Sequence, residues 1–438
     1  MNQTLTILPP TIKGTDLILQ HQTPDGEVAS RTFRFSRDLH EALAKYPSDR
    51  IAKLCTFIAL GRAIYLFDEA YYTEIVSPMA LTKDEVAFFE DFYYNGMAEF
   101  RLTNHIAITT RTCVTCPEPT PLAAYAAPVL SGALVTNGGG KDGATGAELL
   151  HEVVVDISWF TWNLLGSRPA IIAQSSIAQS LVATSVYDES AGKPLYSGHK
   201  PLNGPLAFLT AFAALVAGKR YAVVSNEYSA SEPNMVFEGV EINHQYTKSF
   251  TVEQALHRII NGLDLGVYYF SILRPLYELQ IMRILQDFPQ YHHVFVSCNR
   301  GVKNGTWCLD CAKCAFITLC FTAINPQATE EIWGDRLVIA QPKLQGHIVA
   351  LVAPHIDKPF ECVGTLQECQ LALGMIARNT ALWQQLPADF RARLEPHIPA
   401  NFDELYQSVM LSVDRPNNIP PDLRPAVYAA FKKHLGIS

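Results

Sequence analysis

Gly132-Ala-Leu-Val-Thr136-Asn137-Gly138-Gly139-Gly140-Lys141-Asp142-Gly143 is the stretch on which the reading of this chain turns. A short apolar run of strand character enters residues that can turn tightly, and an amphipathic segment of helical period follows from Asp142. Strand, glycine turn and helix together make an anion cradle. Glycines let backbone N–H groups approach a phosphate, the helix N-terminus adds partial positive charge, and Lys141 adds a full one. Asp142 is placed to orient the loop or to hold Mg²⁺. The spacing excludes a Walker A loop, which needs four residues between its first glycine and Gly-Lys-Ser/Thr, and it excludes the dinucleotide pattern G-x-G-x-x-G. The bland alternative is an ordinary glycine-rich turn.

Outward from this loop, apolar runs of strand length alternate with longer amphipathic segments, which predicts α/β architecture: a doubly wound parallel sheet with crossover helices. Strands are expected at Gly132–Thr136, Ile157–Trp162, Tyr221–Ser225 and His293–Ser297. Helices are expected at Gly143–Val154, Ser176–Ser185, Gly204–Ala217, Thr251–Asn261 and Pro275–Asp287. In such a sheet, ligands lie outside the carboxyl ends of the strands. Upstream, Cys116-Pro-Glu-Pro-Thr-Pro121 is too proline-rich for helix and suggests a linker. The expected organisation is an α+β N-terminal domain over 1–125, a nucleotide-binding catalytic domain over 126–325, and a mainly helical extension over 326–438.

Composition narrows the partners. The chain has 438 residues, 48% of them hydrophobic, enough for a large core. Its 34 Lys and Arg against 42 Asp and Glu give a formal charge of −8 with no basic cluster, which argues against a nucleic-acid partner. The N-terminus lacks a secretory pattern and the apolar stretch Pro205–Gly218 is too short to span a bilayer, so a cytoplasmic protein with no membrane partner is expected. No protein partner is evident.

A reducing compartment makes the ten cysteines informative as ligands rather than as disulfides. Cys298, Cys308, Cys311 and Cys314 can complete a tetrahedral sulfur shell around Zn²⁺, with no position left open for water, so the site is expected to be structural. An iron–sulfur cluster is the alternative metal reading. Cys113-x2-Cys116 is weaker and reads as packing or a redox pair. Polar sets cluster at the expected strand ends: His199 in Ser197–Pro201; Asn226, Glu227, Ser229, Glu232 and Asn234 in the loop Asn226–Asn234; His244, Tyr246 and Lys248 in Glu241–Lys248; then Arg274, and Arg300 beside Cys298. Singly, each has a bland reading as a turn former, a core histidine or a helix-end cation.

Gly138 to Asp142 resemble the S-G-G-K-D-S loop of PP-loop ATP pyrophosphatases, with Gly138 and Gly143 in place of the serines. Loss of the closing serine removes one hydroxyl contact to phosphate. Taken with S-N-E-Y-S-A-S-E-P-N, E-I-N-H-Q-Y-T-K-S, L-R-P-L-Y-E-L-Q, S-C-N-R-G, W-C-x-x-C-x-K-C and K-P-F-E-C-V-G-T, the chain resembles the UDP-N-acetylmuramoyl-L-alanyl-L-glutamate epimerase family of peptidoglycan synthesis from about Thr32 to Ala372. That resemblance implies an isomerase using ATP and Mg²⁺ to invert the terminal L-Glu of a small-molecule UDP-muramoyl dipeptide, releasing AMP and pyrophosphate. It further implies that Gly138, Gly139, Gly140, Lys141 and Asp142 hold ATP, and that Asn226, Glu227, Ser229, Glu232 and Asn234 line the reacting centre. His244, Tyr246 or Lys248 would move the proton, and Arg274 or Arg300 would bind a substrate carboxylate. Two alternatives share these features: a ligase resembling 7-cyano-7-deazaguanine synthase, and a zinc-stabilised nucleotide-binding protein without turnover.

Overall fold

The computed structural model describes residues 3–118, 123–187 and 194–437; residues 119–121 of the proline-rich stretch lie outside them. In chain order the strands are β1 (Thr4–Lys13), β2 (Asp16–Gln22), β3 (Val28–Phe35), β4 (Glu74–Val76), β5 (Cys113–Thr115), β6 (Ser131–Thr136), β7 (Ile157–Trp162), β8 (Gln179–Tyr187), β9 (Lys219–Val224), β10 (Met235–Phe237), β11 (Val240–Ile242) and β12 (Tyr268–Ser271). All but the β10–β11 ribbon join one sheet in the order β12-β9-β6-β7-β8-β3-β2-β1-β4-β5.

From β12 to β8 the neighbours are parallel, as expected for a doubly wound fold. Beyond β8 the expectation of a parallel sheet fails. β3 pairs antiparallel with β8, β2 with β3 and β1 with β2, and only then do β4 and β5 add in parallel. The architecture is therefore α/β with a mixed sheet, and the N-terminal strands extend the central sheet instead of forming their own.

Two expected elements change type. Ser176–Ser185 does not form a helix; its Leu181 and Ala183 are buried while Val182 and Thr184 are not, the period of two that β8 needs, and β-branched residues fit that surface. His293–Ser297 joins no strand, because Val296 N–H donates to Gly139 O at 3.0 Å and the segment runs against the glycine loop. β12 was not among the expected strands. The helices Lys141–His151, Asn203–Ala217, Phe250–Asn261 and Glu278–Leu285 stand where helix was expected.

Alternation along β6 splits the core. Ala133 and Val135 face the Lys141–His151 helix and the C-terminal helices, whereas Leu134 faces the Ser48–Arg62 and Asn203–Ala217 helices. The Asn203–Ala217 helix is apolar nearly all round and is buried accordingly. Among the described residues no helix is long and apolar enough to cross a membrane.

Candidate active site

From β6 the chain winds out through β7 to β8, then returns to lay β9 on the other flank of β6. That reversal leaves a crevice at the carboxyl ends of the strands. A cleft of about 300 Å³ lies there, lined by Thr136, Asn137, Gly138 and Gly140 after β6, by Phe160 and Trp162 of β7, and by Val224, Ser225 and Asn226 after β9. Asp142, Arg168, Lys248, Ser297, Asn299, Lys313 and Cys362 also line it.

The loop after β6 is tightly specified. Gly139 has φ +82°, and a Cβ there would overlap Ser167 Oγ, so only glycine fits. Its N–H donates to Asn137 Oδ1 at 2.9 Å, and its carbonyl accepts from Ser167 Oγ at 2.7 Å. Gly143 lies where a Cβ would approach Thr136 O to 3.1 Å, so the first helical turn presses on the strand end. The missing serine thus coincides with close backbone packing.

Lys141 is a correction. Its side chain is fully buried, ion-paired with Glu278 and Asp142, and does not line the cleft. The cations that do face it are Arg168, Lys248 and Lys313. Beneath the loop, Asp142, Glu227 and Glu278 bring carboxylate oxygens within 4.8 Å of one another. Lys248 pairs with Glu227 at 3.5 Å and Lys313 with Glu278 at 3.4 Å, so three lysines balance three carboxylates. Burial pushes the Glu278 carboxyl up, but Lys141 and Lys313 outweigh it and bring it down to about 2. For Lys141 and Lys248 burial opposes the ammonium, yet the surrounding anions hold both above the ordinary range. Glu227 Oε2 is buried with no hydrogen-bond partner. Such an orphan oxygen beside Asp142 fits a hard cation.

Several predicted binding residues turn out to support others. Arg274 is fully buried and cannot meet a substrate carboxylate: its guanidinium donates to Glu253 Oε2 at 2.7 Å and to the carbonyls of Glu227 and Lys248 at 2.5 Å each. It fixes the backbone under both site residues. Arg300 is largely exposed, pairs with Asp310 at 3.6 Å and is absent from the lining. Ser229 Oγ accepts from Glu278 N–H at 3.1 Å. Asn234 Nδ2 donates to Pro359 O at 2.6 Å, and Glu232 meets Lys358 at 3.7 Å. These two tie the Lys358–Val363 segment to the site. Tyr246 turns its hydroxyl to Asp91, away from the cleft.

That segment delivers Cys362 into the cleft, a residue that sequence spacing passed over because it lies far from the cysteine cluster. Burial pushes its thiol up, but Lys248, His244 and Lys313 together bring it down to about 7. His244 lies beside Cys362, its Nδ1 meets Glu99 Oε2 at 2.7 Å, and its ring centroid is 3.9 Å from that of His199. Burial alone would lower the His244 imidazole; Cys362 and Glu99 raise it to about 9. His199, desolvated and facing His244, falls to about 3. Arg168 was likewise missed, with nothing local to mark it, whereas Glu278 and Lys313 stood inside L-R-P-L-Y-E-L-Q and W-C-x-x-C-x-K-C without being given a role.

The sulfur atoms of Cys298, Cys308, Cys311 and Cys314 lie within 4.8 Å of one another, with Cys308 and Cys314 Sγ 3.7 Å apart. A tetrahedron with Zn–S of about 2.3 Å has edges of about 3.8 Å, so the set fits zinc. Backbone N–H groups of Gly301, Asp310 and Cys314 point at Cys298, Cys308 and Cys311 Sγ. Cys113 and Cys116 instead direct their sulfurs to separate carbonyls, of Thr73 and Leu81.

Residues 16–272 match the MurL N-terminal domain and residues 294–401 the MurL C-terminal domain. The chain is 29% identical over 426 residues to the UDP-N-acetyl-alpha-D-muramoyl-L-alanyl-L-glutamate epimerase of a Micromonospora species, covering 92% of each. It is 30% identical to the protein of that name from Salinispora tropica, over 83% of this chain and 81% of the relative. A third such epimerase, from Xanthomonas oryzae pv. oryzae, is 27% identical over 81% of each. By the match of both domains across most of its length, the chain belongs to the MurL family.

Proposed function

We propose that this chain is an ATP-dependent epimerase that inverts the terminal L-Glu of UDP-N-acetylmuramoyl-L-Ala-L-Glu to D-Glu, in the cytoplasm, during peptidoglycan precursor synthesis. The observation that carries the reading is the cleft at the sheet reversal, which the glycine loop lines together with Asn226, Lys248 and Cys362. The loop, the helix behind it and the parallel half of the sheet support a PP-loop ATP pyrophosphatase fold.

The chemistry requires this pairing of sites. A free α-carboxylate makes the neighbouring C–H a very weak acid, because deprotonation places a second negative charge beside the first. Converting the carboxylate to an acyl adenylate removes that charge, and pyrophosphate leaves; after inversion, water cleaves the acyl–phosphate bond to free the carboxylate and AMP. The loop N–H groups of Gly138 and Gly140 bind phosphate oxygens, with Arg168 and Lys313 as countercharges. Lys248, held protonated by its anionic neighbours, stabilises the enolate oxygen rather than abstracting a proton. Asp142 and Glu227 would hold Mg²⁺, which supplies charge neutralisation on the phosphates. Cys298, Cys308, Cys311 and Cys314 would hold a structural Zn²⁺.

Purified protein incubated with ATP, Mg²⁺ and the UDP-muramoyl dipeptide in D₂O should yield AMP, pyrophosphate and D-Glu carrying deuterium at Cα. AMP without inversion would redirect the reading to a ligase, and no AMP would defeat it.

A further inference from the structure

We propose that Cys362 is a catalytic residue that moves the α-proton, from a position in the cleft that it shares with Lys248. The inference rests on the epimerase reading and adds the group that this reading lacks. Of the earlier proton-transfer candidates, Tyr246 faces Asp91 outside the cleft, and Lys248 is turned to the Glu227 carboxylate, with which it ion-pairs at 3.5 Å. His244 is held as an imidazolium by Glu99 and Cys362, so it too lacks a free base.

Cys362 differs on each count. It lines the cleft together with Asn226, Asp142 and Lys248, so its sulfur can reach a ligand that also touches the glycine loop. It lies beside a histidine that Glu99 holds in place, and an imidazolium next to a thiol favours its ionisation. Burial raises the thiol, yet Lys248, His244 and Lys313 outweigh it and leave its pKa at about 7, so both protonation states are populated near neutrality. A second observation points to a ligand next to this spot: Glu227, fully buried and paired with the cleft-lining Lys248, leaves Oε2 without a partner.

The step balances without an outside oxidant or reductant. The Cys362 thiolate takes the α-proton of the adenylated glutamate; the C–H bond breaks, an S–H bond forms, and the electron pair enters the enolate. Water admitted to the open cleft protonates the opposite face of that carbon. The resulting hydroxide takes the proton from the thiol, restoring the thiolate.

The test separates the two half-reactions in Cys362→Ser and Cys362→Ala proteins supplied with ATP, Mg²⁺ and the dipeptide in D₂O. The expected result is substrate-dependent AMP formation within a few-fold of wild type, with deuterium exchange at Cα and inversion reduced by about 100-fold or more. Exchange near the wild-type rate in either variant overturns the proposal. Equal loss of AMP formation and exchange also overturns it, since the thiol would then serve adenylation or folding. The unsubstituted enzyme gives an independent arm: iodoacetamide at neutral pH should alkylate Cys362, by peptide mapping, and abolish exchange while AMP still forms, and ATP with dipeptide should protect it. Full alkylation of Cys362 with exchange intact would sink the idea. Absence of AMP in wild type would instead be a failure of the epimerase reading, distinguishable from each of these.

Discussion

His244 meets two neighbours that titrate in opposite senses. Its imidazole is raised from the ordinary value of 6.5 to about 9, so the stability it gains from Glu99 is full below pH 6.5 and lost as pH rises through 9, while the part shared with the Cys362 thiolate is confined to about pH 7 to 9. Cys362, lowered from 9.0 to about 7, runs the other way: its share is present above pH 9 and lost as pH falls through 7. His199, the third group on the imidazole, stays neutral throughout this range. Thermal melts of wild type and His244→Gln should therefore differ most near pH 6.5 and converge by pH 9.5, the gap being about 3 kcal/mol at most. A gap independent of pH would contradict the ion pair. At this scale the sequence was legible in which residues come together, as in the tight turn at Gly138 to Gly140 and the four converging cysteines. It was illegible where direction matters. Nothing local tells that Lys141 turns inward to Glu278 or that Asn234 carries a distant segment, with Cys362, back to the cleft.

Among the elements, the loop after β9 owes its form to Arg274. One guanidinium spans Glu253 and the carbonyls of Glu227 and Lys248, all buried. Arg274→Met leaves the Glu253 carboxylate buried with its main partner gone, which typically costs about 3–5 kcal/mol. Denaturant melts should show that loss, and Arg274→Met/Glu253→Gln should recover a substantial part of it. A carboxylate-binding arginine would instead raise KM with stability unchanged. The helical character of the 326–438 stretch was readable, and within it a capping box from Thr365 to Glu368 explains the sharp start of the Leu366–Arg378 helix. β8 was not. Its small and β-branched residues suit either a short amphipathic helix or a strand, and the choice is made by β7 and β3 on its two sides. Likewise His293–Ser297 has strand composition, but its backbone is claimed by the glycine loop.

Across the whole molecule, the cysteine knuckle and the phosphate cradle are adjacent parts of one chain path. Val296 bonds Gly139, Ser297 Oγ accepts from Lys141 N–H at 3.4 Å, and Cys298 follows at once. Cys311→Ser should therefore lower bound zinc from about one ion per chain, lower Tm by about 5 °C and weaken ATP binding, as read by metal analysis, melting and titration. Zinc loss with ATP affinity unchanged would show that the two sites are independent. The α/β class was visible in the alternation after Val129, whereas the mixed sheet was not, because strand direction depends on partners far away in sequence. One such partnership sets the order of assembly. β3 pairs with β8, and Phe35 and Ala183 are roughly 150 residues apart. On a ribosome moving at about 5–20 residues per second, the β3 edge waits roughly 7–30 s for its neighbour to be made. During that interval β1, β2 and β3 present an open hydrogen-bonding edge to other nascent chains. The same connection that widens the sheet thus leaves the newborn β3 edge unpaired until β8 arrives.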